Sequence, residues 1–142
     1  MKFLIIFLSL ISVDHSCSQS KNNQDTITIE YSAHSRGTYK HIIVNKKQIS
    51  IENKRGESPI IKTCNETHWD AILKAIKPVN VENIPNLKAP SEKRFYDGAA
   101  IATLSIVYNG ETYTTPSFDH GNPPNEIAEL VKEILSISEN IE

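Results

Sequence analysis

The dipeptide Asn109-Gly110 separates two alternating runs, ATLSIVY (102–108) and ETYTT (111–115). Asn-Gly is the pair best able to take positive φ at both central positions of a type I′ turn, the two-residue turn whose twist suits a β-hairpin. So short a loop leaves no freedom of register. Tyr108 must face Glu111, Ile106 must face Tyr113 and Leu104 must face Thr115. Period-2 alternation then gathers Ala102, Leu104, Ile106, Tyr108, Tyr113 and Thr115 on one face. Thr103, Ser105, Val107, Thr112 and Thr114 occupy the other. One greasy and one polar face is the mark of an antiparallel sheet covered by helices on a single side.

The segments before the hairpin extend that sheet. Ile27, Ile29 and Tyr31 alternate with polar residues over 26–32. After a turn at His34-Ser35-Arg36-Gly37, residues 38–45 form a second strand. Its consecutive Ile42, Ile43 and Val44 suit an interior position in the sheet. Residues 48–53 and 59–64 give two shorter strands about a charged turn at Gly56, and Pro59 is tolerated where it opens a strand. Thr63 or Asn65 can cap a helix over 66–77, with Trp69, Ile72, Leu73 and Ile76 at helical spacing and Pro78 as its stop. Residues 79–94 lose any period, with Val81, Ile84 and Leu87 as plugs onto the core. Asn122-Pro123-Pro124 suits the start of a last helix whose buried stripe is Ile127, Leu130, Val131 and Ile134, with a tail fraying from Ser138. The expected fold is α+β: a single antiparallel sheet with two helices packed on one face, in the order β-β-β-β-α-loop-β-β-α.

Residues 1–16 read as a signal peptide. Lys2 is followed by an apolar run at 3–13 that is too short to span a bilayer, which takes about 20 residues. Ser16-Cys17-Ser18 and the polar residues after it resemble the start of a bacterial lipoprotein, which implies lipidation of Cys17, a tether at 17–25 and one domain at 26–138. The expected location is therefore the bacterial cell envelope, on the periplasmic or surface side, with a lipid anchor on Cys17 in the membrane. Cleavage after Ser18 would instead give a secreted protein. Under either processing Cys64 is left without a partner, and it reads as a small buried hydrophobe. Lys2 and Asp14 leave together with the signal, so the formal net charge stays at −2 and nothing suggests nucleic-acid binding.

No phosphate loop, nucleophile elbow, H-E-x-x-H or C-x-x-C occurs, so neither an enzyme nor a cofactor is expected. The histidines His34, His41 and His68 do not have the spacing of a zinc site. What remains is loop chemistry. Ser35 and Arg36 stand on an exposed turn, Arg94 lies in the 88–94 connection, and Asp119 and His120 follow the hairpin just before a helix start. Polar residues on the tips of regular elements are where rigid scaffolds present contacts, so these five are the candidates for binding a protein partner. The alternatives are a small hydrolase or metal-dependent enzyme around Asp97, Asp119 and His120, and a structural envelope accessory.

From Ile27 to Ile137 the layout is similar to emfourin-type inhibitors of thermolysin-like metalloproteases. Arg36-Gly37, Ile84-Pro85, Asp97 ahead of the Leu104/Ile106 strand, Gly110, and Pro124 ahead of Leu130-Val131 carry the likeness. It also resembles small bacterial envelope lipoprotein domains of the same element order. The resemblance implies a non-enzymatic, protease-inhibitor-like domain, with a secreted metalloprotease as a candidate partner.

Replacing Cys17 by Ser should move the protein from the membrane fraction to the soluble fraction. Unchanged fractionation of Cys17→Ser would exclude the lipid anchor.

Overall fold

The computed structural model describes residues 26–140. Cys17 and the segments expected as signal peptide and tether lie outside the described residues. Among the described residues, seven strands form one antiparallel sheet: β1 Thr28–His34, β2 Tyr39–Asn45, β3 Gln48–Glu52, β4 Ile60–Thr63, β5 Ile101–Tyr108, β6 Glu111–Thr114 and β7 Phe118–Asp119. Their order across the sheet is β4-β3-β2-β1-β5-β6, with β7 also on β5. The helices α1 Glu66–Ile76 and α2 Ala128–Glu139 pack on one face, and 3-10 turns occur at Val81–Asn86, Lys93–Tyr96 and Asn125–Ile127. The fold is α+β, as expected.

The β5–β6 hairpin has the register that Asn109-Gly110 dictates: Tyr108 faces Glu111 and Ile106 faces Tyr113. Both turn residues have positive φ, 53° at Asn109 and 83° at Gly110. The core face of the sheet carries Ile29, Tyr31 and Ala33 from β1, Ile42 and Val44 from β2, Ile49 and Ile51 from β3, and Ala102, Leu104 and Ile106 from β5, all buried. β1 and β5 lie side by side at the centre, pairing Ile29 with Ile106, Tyr31 with Leu104 and Ala33 with Ala102. β2 sits between β3 and β1, as its apolar run suggests, with Ile43 half-buried on the outer face.

The helices cover this face with the residues that helical spacing selects. α1 buries Trp69, Ile72, Ala75 and Ile76, with Leu73 packed alongside. The Asn65 side chain caps it, accepting from the His68 N–H at 2.8 Å, so Asn65 and not Thr63 is the cap. Val81, Ile84 and Leu87 are buried in the long connection, where plugs were expected. Cys64 is buried, and burial pushes its thiol pKa up.

Two expectations fail at the last helix. Asn122 is not its N-cap, because its side chain donates to Ser91 Oγ at 2.6 Å and its N–H to the Asp119 carbonyl at 2.8 Å. The chain instead enters through the Asn125–Ile127 turn, and no side chain among the described residues caps α2. Nor does the helix fray at Ser138. That residue is fully buried and its hydroxyl donates to the Leu135 carbonyl at 2.7 Å, which satisfies a polar group that packing would otherwise strand.

β7 was expected as loop, and the hydrogen-bonding register explains its appearance. Along β6 the paired numbers sum to 219 (Ile106 with Tyr113), whereas at β7 they sum to 220 (Ala102 with Phe118). One extra residue has therefore been inserted beside β5, at the stretch containing Pro116, which lacks an N–H for the ladder. Without it Ser117 would point into the core. With it Phe118 does, its ring 6.3 Å from that of Tyr31, and Asp119 is turned to the other face.

Truncating Ile106 to Ala removes fully buried methyl groups and should destabilise the fold by roughly 2–5 kcal/mol. Val107→Ala, on the outer face, should cost clearly less in the same urea titrations. Equal costs would contradict this register.

Candidate functional site

All five residues singled out in the sequence come to the same end of the sheet, where β1 ends at His34 and β5 begins at Ile101. Three segments meet there: the β1–β2 turn, the connection leading into β5, and the chain after β7. The five do not share one role.

Asp119 is 1% exposed. Its carboxylate accepts from the Ser91 hydroxyl at 2.5 Å, the Lys93 N–H at 2.8 Å, the Arg94 N–H at 2.9 Å and Arg94 Nη1 at 3.1 Å. Burial alone would raise its pKa. The bonds from Ser91, from the backbone of Arg94 and Lys93 and from the Arg94 guanidinium outweigh burial and hold it well below the usual carboxylate range. Arg94 is buried with it. Its Nε donates to Ser117 Oγ at 3.0 Å and its Nη1 to the Ser91 carbonyl at 2.6 Å. Asp119 and Arg94 were expected to face a partner; the structure turns both inward, as a latch holding the 91–96 segment against the outer face of the sheet.

His120 points elsewhere. Its Nδ1 lies 2.7 Å from the Tyr31 hydroxyl, and with the imidazole neutral and protonated on Nε2, Tyr31 donates to it. Burial, and then the charge of Lys40, lower the His120 pKa and favour that neutral form. The His120 N–H donates to the Ala100 carbonyl at 2.9 Å, which ties β7 again to the start of β5. Asp119 and His120 therefore serve different partners. Asp97 has left-handed φ of 60° and ends the 93–96 turn, where Gly98 N–H reaches the Lys93 carbonyl at 2.8 Å. Among the described residues, no group of three or more His, Cys, Asp or Glu side chains is placed to hold a metal. His41 is engaged by Glu30 at 2.8 Å.

Ser35 is also spent locally, its hydroxyl accepting from the N–H groups of Gly37 and Thr38 at 3.3 and 3.1 Å. Arg36 is different: it is exposed and makes no ion pair among the described residues. It lines two shallow hollows, one of about 430 Å³ shared with Asp97 and Gly98, the other of about 570 Å³ shared with Tyr39, Lys54 and Arg55. The Arg55 guanidinium sits over the Tyr39 ring at 5.6 Å.

Sequence reasoning passed over the exposed large apolar side chains at this end. Phe95 and Tyr96 are 68% and 71% exposed, and Ile101 lies at the start of β5 at 37%. One face of Phe95 is covered by the Arg94 guanidinium, 4.2 Å from the ring centroid. The available signal was an aromatic pair in an aperiodic segment with no apolar stripe to join. Large aromatics on the surface of an ordered turn are a recognised mark of a contact surface.

The latch has a pH signature. Because the Asp119 pKa is depressed, its contribution to stability is complete above about pH 3.9, the unperturbed value, and is lost as pH falls toward the folded value. Urea midpoints of the wild type should fall below about pH 4. Asp119→Asn should start lower at neutral pH and fall less steeply through the acid range. Parallel profiles for the two proteins would mean that no ionised carboxylate closes the latch.

No protein-family model, curated protein or solved structure matches this chain.

Proposed function

We propose that this chain is a non-enzymatic envelope lipoprotein domain that captures a protein partner through the latched end of its sheet. The observation that carries this reading is the exposure of Phe95 and Tyr96 on a turn whose neighbours are tied down by a buried carboxylate. Such a turn loses little conformational freedom on binding, so the aromatic area it buries is not offset by the entropy of ordering a loop. Arg36, exposed beside the same hollow as Asp97 and Gly98, adds a guanidinium able to take a partner carboxylate in bidentate fashion. Aromatic residues and arginine are the types that most often carry binding energy at protein interfaces.

The partner class follows from the layout likeness to emfourin-type inhibitors. Secreted thermolysin-like metalloproteases are the first proteins to test. In this reading Asp119, Arg94 and His120 serve recognition indirectly, by setting where Phe95 and Tyr96 stand.

The full chain should slow hydrolysis of a peptide substrate by a thermolysin-like protease. The Phe95→Ala/Tyr96→Ala double variant should weaken that inhibition by at least about tenfold, the size expected when central aromatic contacts are truncated. Arg36→Ala should weaken it less, and melting temperatures should stay within a few degrees for all three proteins because none of these side chains is in the core. Inhibition unaffected by the double variant would place the contact surface elsewhere. Absence of inhibition with every such protease tested would remove this partner class.

A further inference from the structure

The two edges of the sheet are unlike. At one, the 81–86 turn packs against β6. At the other, β4 is exposed along all four residues, and no strand among the described residues pairs with its outer side. Ile60 and Ile61 are 42% and 58% exposed there. A bare edge with large apolar side chains invites another strand.

β4 pairs with β3 so that Lys62 faces Ile49 and Ile60 faces Ile51, and just beyond the strand the Cys64 N–H donates to the Lys47 carbonyl at 3.1 Å. Hydrogen-bonding direction alternates residue by residue, so Cys64, Lys62 and Ile60 address β3. Thr63, Ile61 and Pro59 address solvent. The outward groups are then the N–H and C=O of Ile61 and Thr63 and the C=O of Pro59.

We propose that this edge pairs with the β4 edge of a second copy of the chain, antiparallel about a two-fold axis at Ile61. In that register the two Ile61 residues exchange N–H···O bonds in both directions. Each Thr63 N–H meets the Pro59 carbonyl of the other copy, the one outward residue that needs no acceptor itself. Ile61 packs on Ile61 on the outer face, and Ile60 lies opposite Lys62, so no like charges face each other directly. The contact is isologous, so it closes on itself as a dimer and does not propagate. Five paired residues from each copy make a small interface, and the dimer forms only at high concentration or where the copies are held on one membrane.

Sedimentation of the full chain should show mass rising reversibly from monomer to dimer as the concentration approaches about 1 mM, the range expected of so small an interface. Ile61→Lys places two lysines directly opposite and should weaken dimerisation at least about tenfold with an unchanged melting temperature. Amide exchange gives an independent reading: Ile61 and Thr63 N–H should become protected as concentration rises. A wild type that stays monomeric, or an Ile61→Lys variant that dimerises equally, overturns the proposal. So does protection of Ile61 and Thr63 that ignores concentration and disappears on deleting residues 1–25, which would assign the edge to the chain's own leading segment.

Discussion

An ionised carboxylate excluded from water is costly unless most of its acceptor positions are filled, and at Asp119 four donors fill them. Two are backbone N–H groups of consecutive residues, Lys93 and Arg94, and one is the guanidinium that follows them into the interior. The charge thus attracts a whole segment more than a single partner. The 91–96 connection, which has no apolar period to bury and no strand to join, is held to the sheet by this group, with the bond from Arg94 to Ser117 beside it. Ser91 extends the hold, donating to Asp119 while accepting from Asn122. The start of the last helical segment and the start of β5 are thereby secured to the same point.

That arrangement depends in turn on a single inserted residue. The slip between β6 and β7 sends Phe118 into the core, against Tyr31, and Asp119 to the opposite face. Ala33 and Ala102 face each other beside it, and small residues at that position leave room for a ring. In a continuous strand Ser117 would lie in the core and Asp119 with it, a charge buried beneath the helices. The bulge therefore separates packing from electrostatics: adjacent residues serve the core and the latch, one on each side of the sheet.

The sequence made the frame legible because the frame is local. The Asn109-Gly110 turn, the alternation of Ile27, Ile29 and Tyr31, and the helical spacing of Trp69, Ile72 and Ile76 each reveal themselves within a dozen residues. The plugs Val81, Ile84 and Leu87 were legible for a related reason, since isolated apolar residues in a polar segment have few other uses. The latch was not. Asp119 finds Ser91, Lys93 and Arg94 from 25 to 28 positions away, and a carboxylate awaiting distant amides looks like any solvent-facing aspartate. The failure at Asn122 has the same origin: a good capping residue was taken by Ser91, 31 positions earlier, before the helix could use it. At the candidate site the sequence therefore singled out residues that gather at one end of the sheet, but not that Arg94 and Asp119 turn inward to each other or that Phe95 and Tyr96 stand exposed there.

Asp119 grips Lys93 and Arg94 through main-chain N–H groups, which every residue except proline supplies. The side chains of Lys93, Phe95 and Tyr96 are consequently free of any duty to the latch. Gly98 is the exception nearby: a Cβ there would stand 3.1 Å from the Tyr96 ring and 3.2 Å from the Lys93 carbonyl, so that position admits little else without moving the turn. Around this fixed glycine, selection can change which side chains the tip displays while leaving the means of displaying them intact. Descendants of one ancestral chain can in this way diverge in what they recognise at little cost in stability.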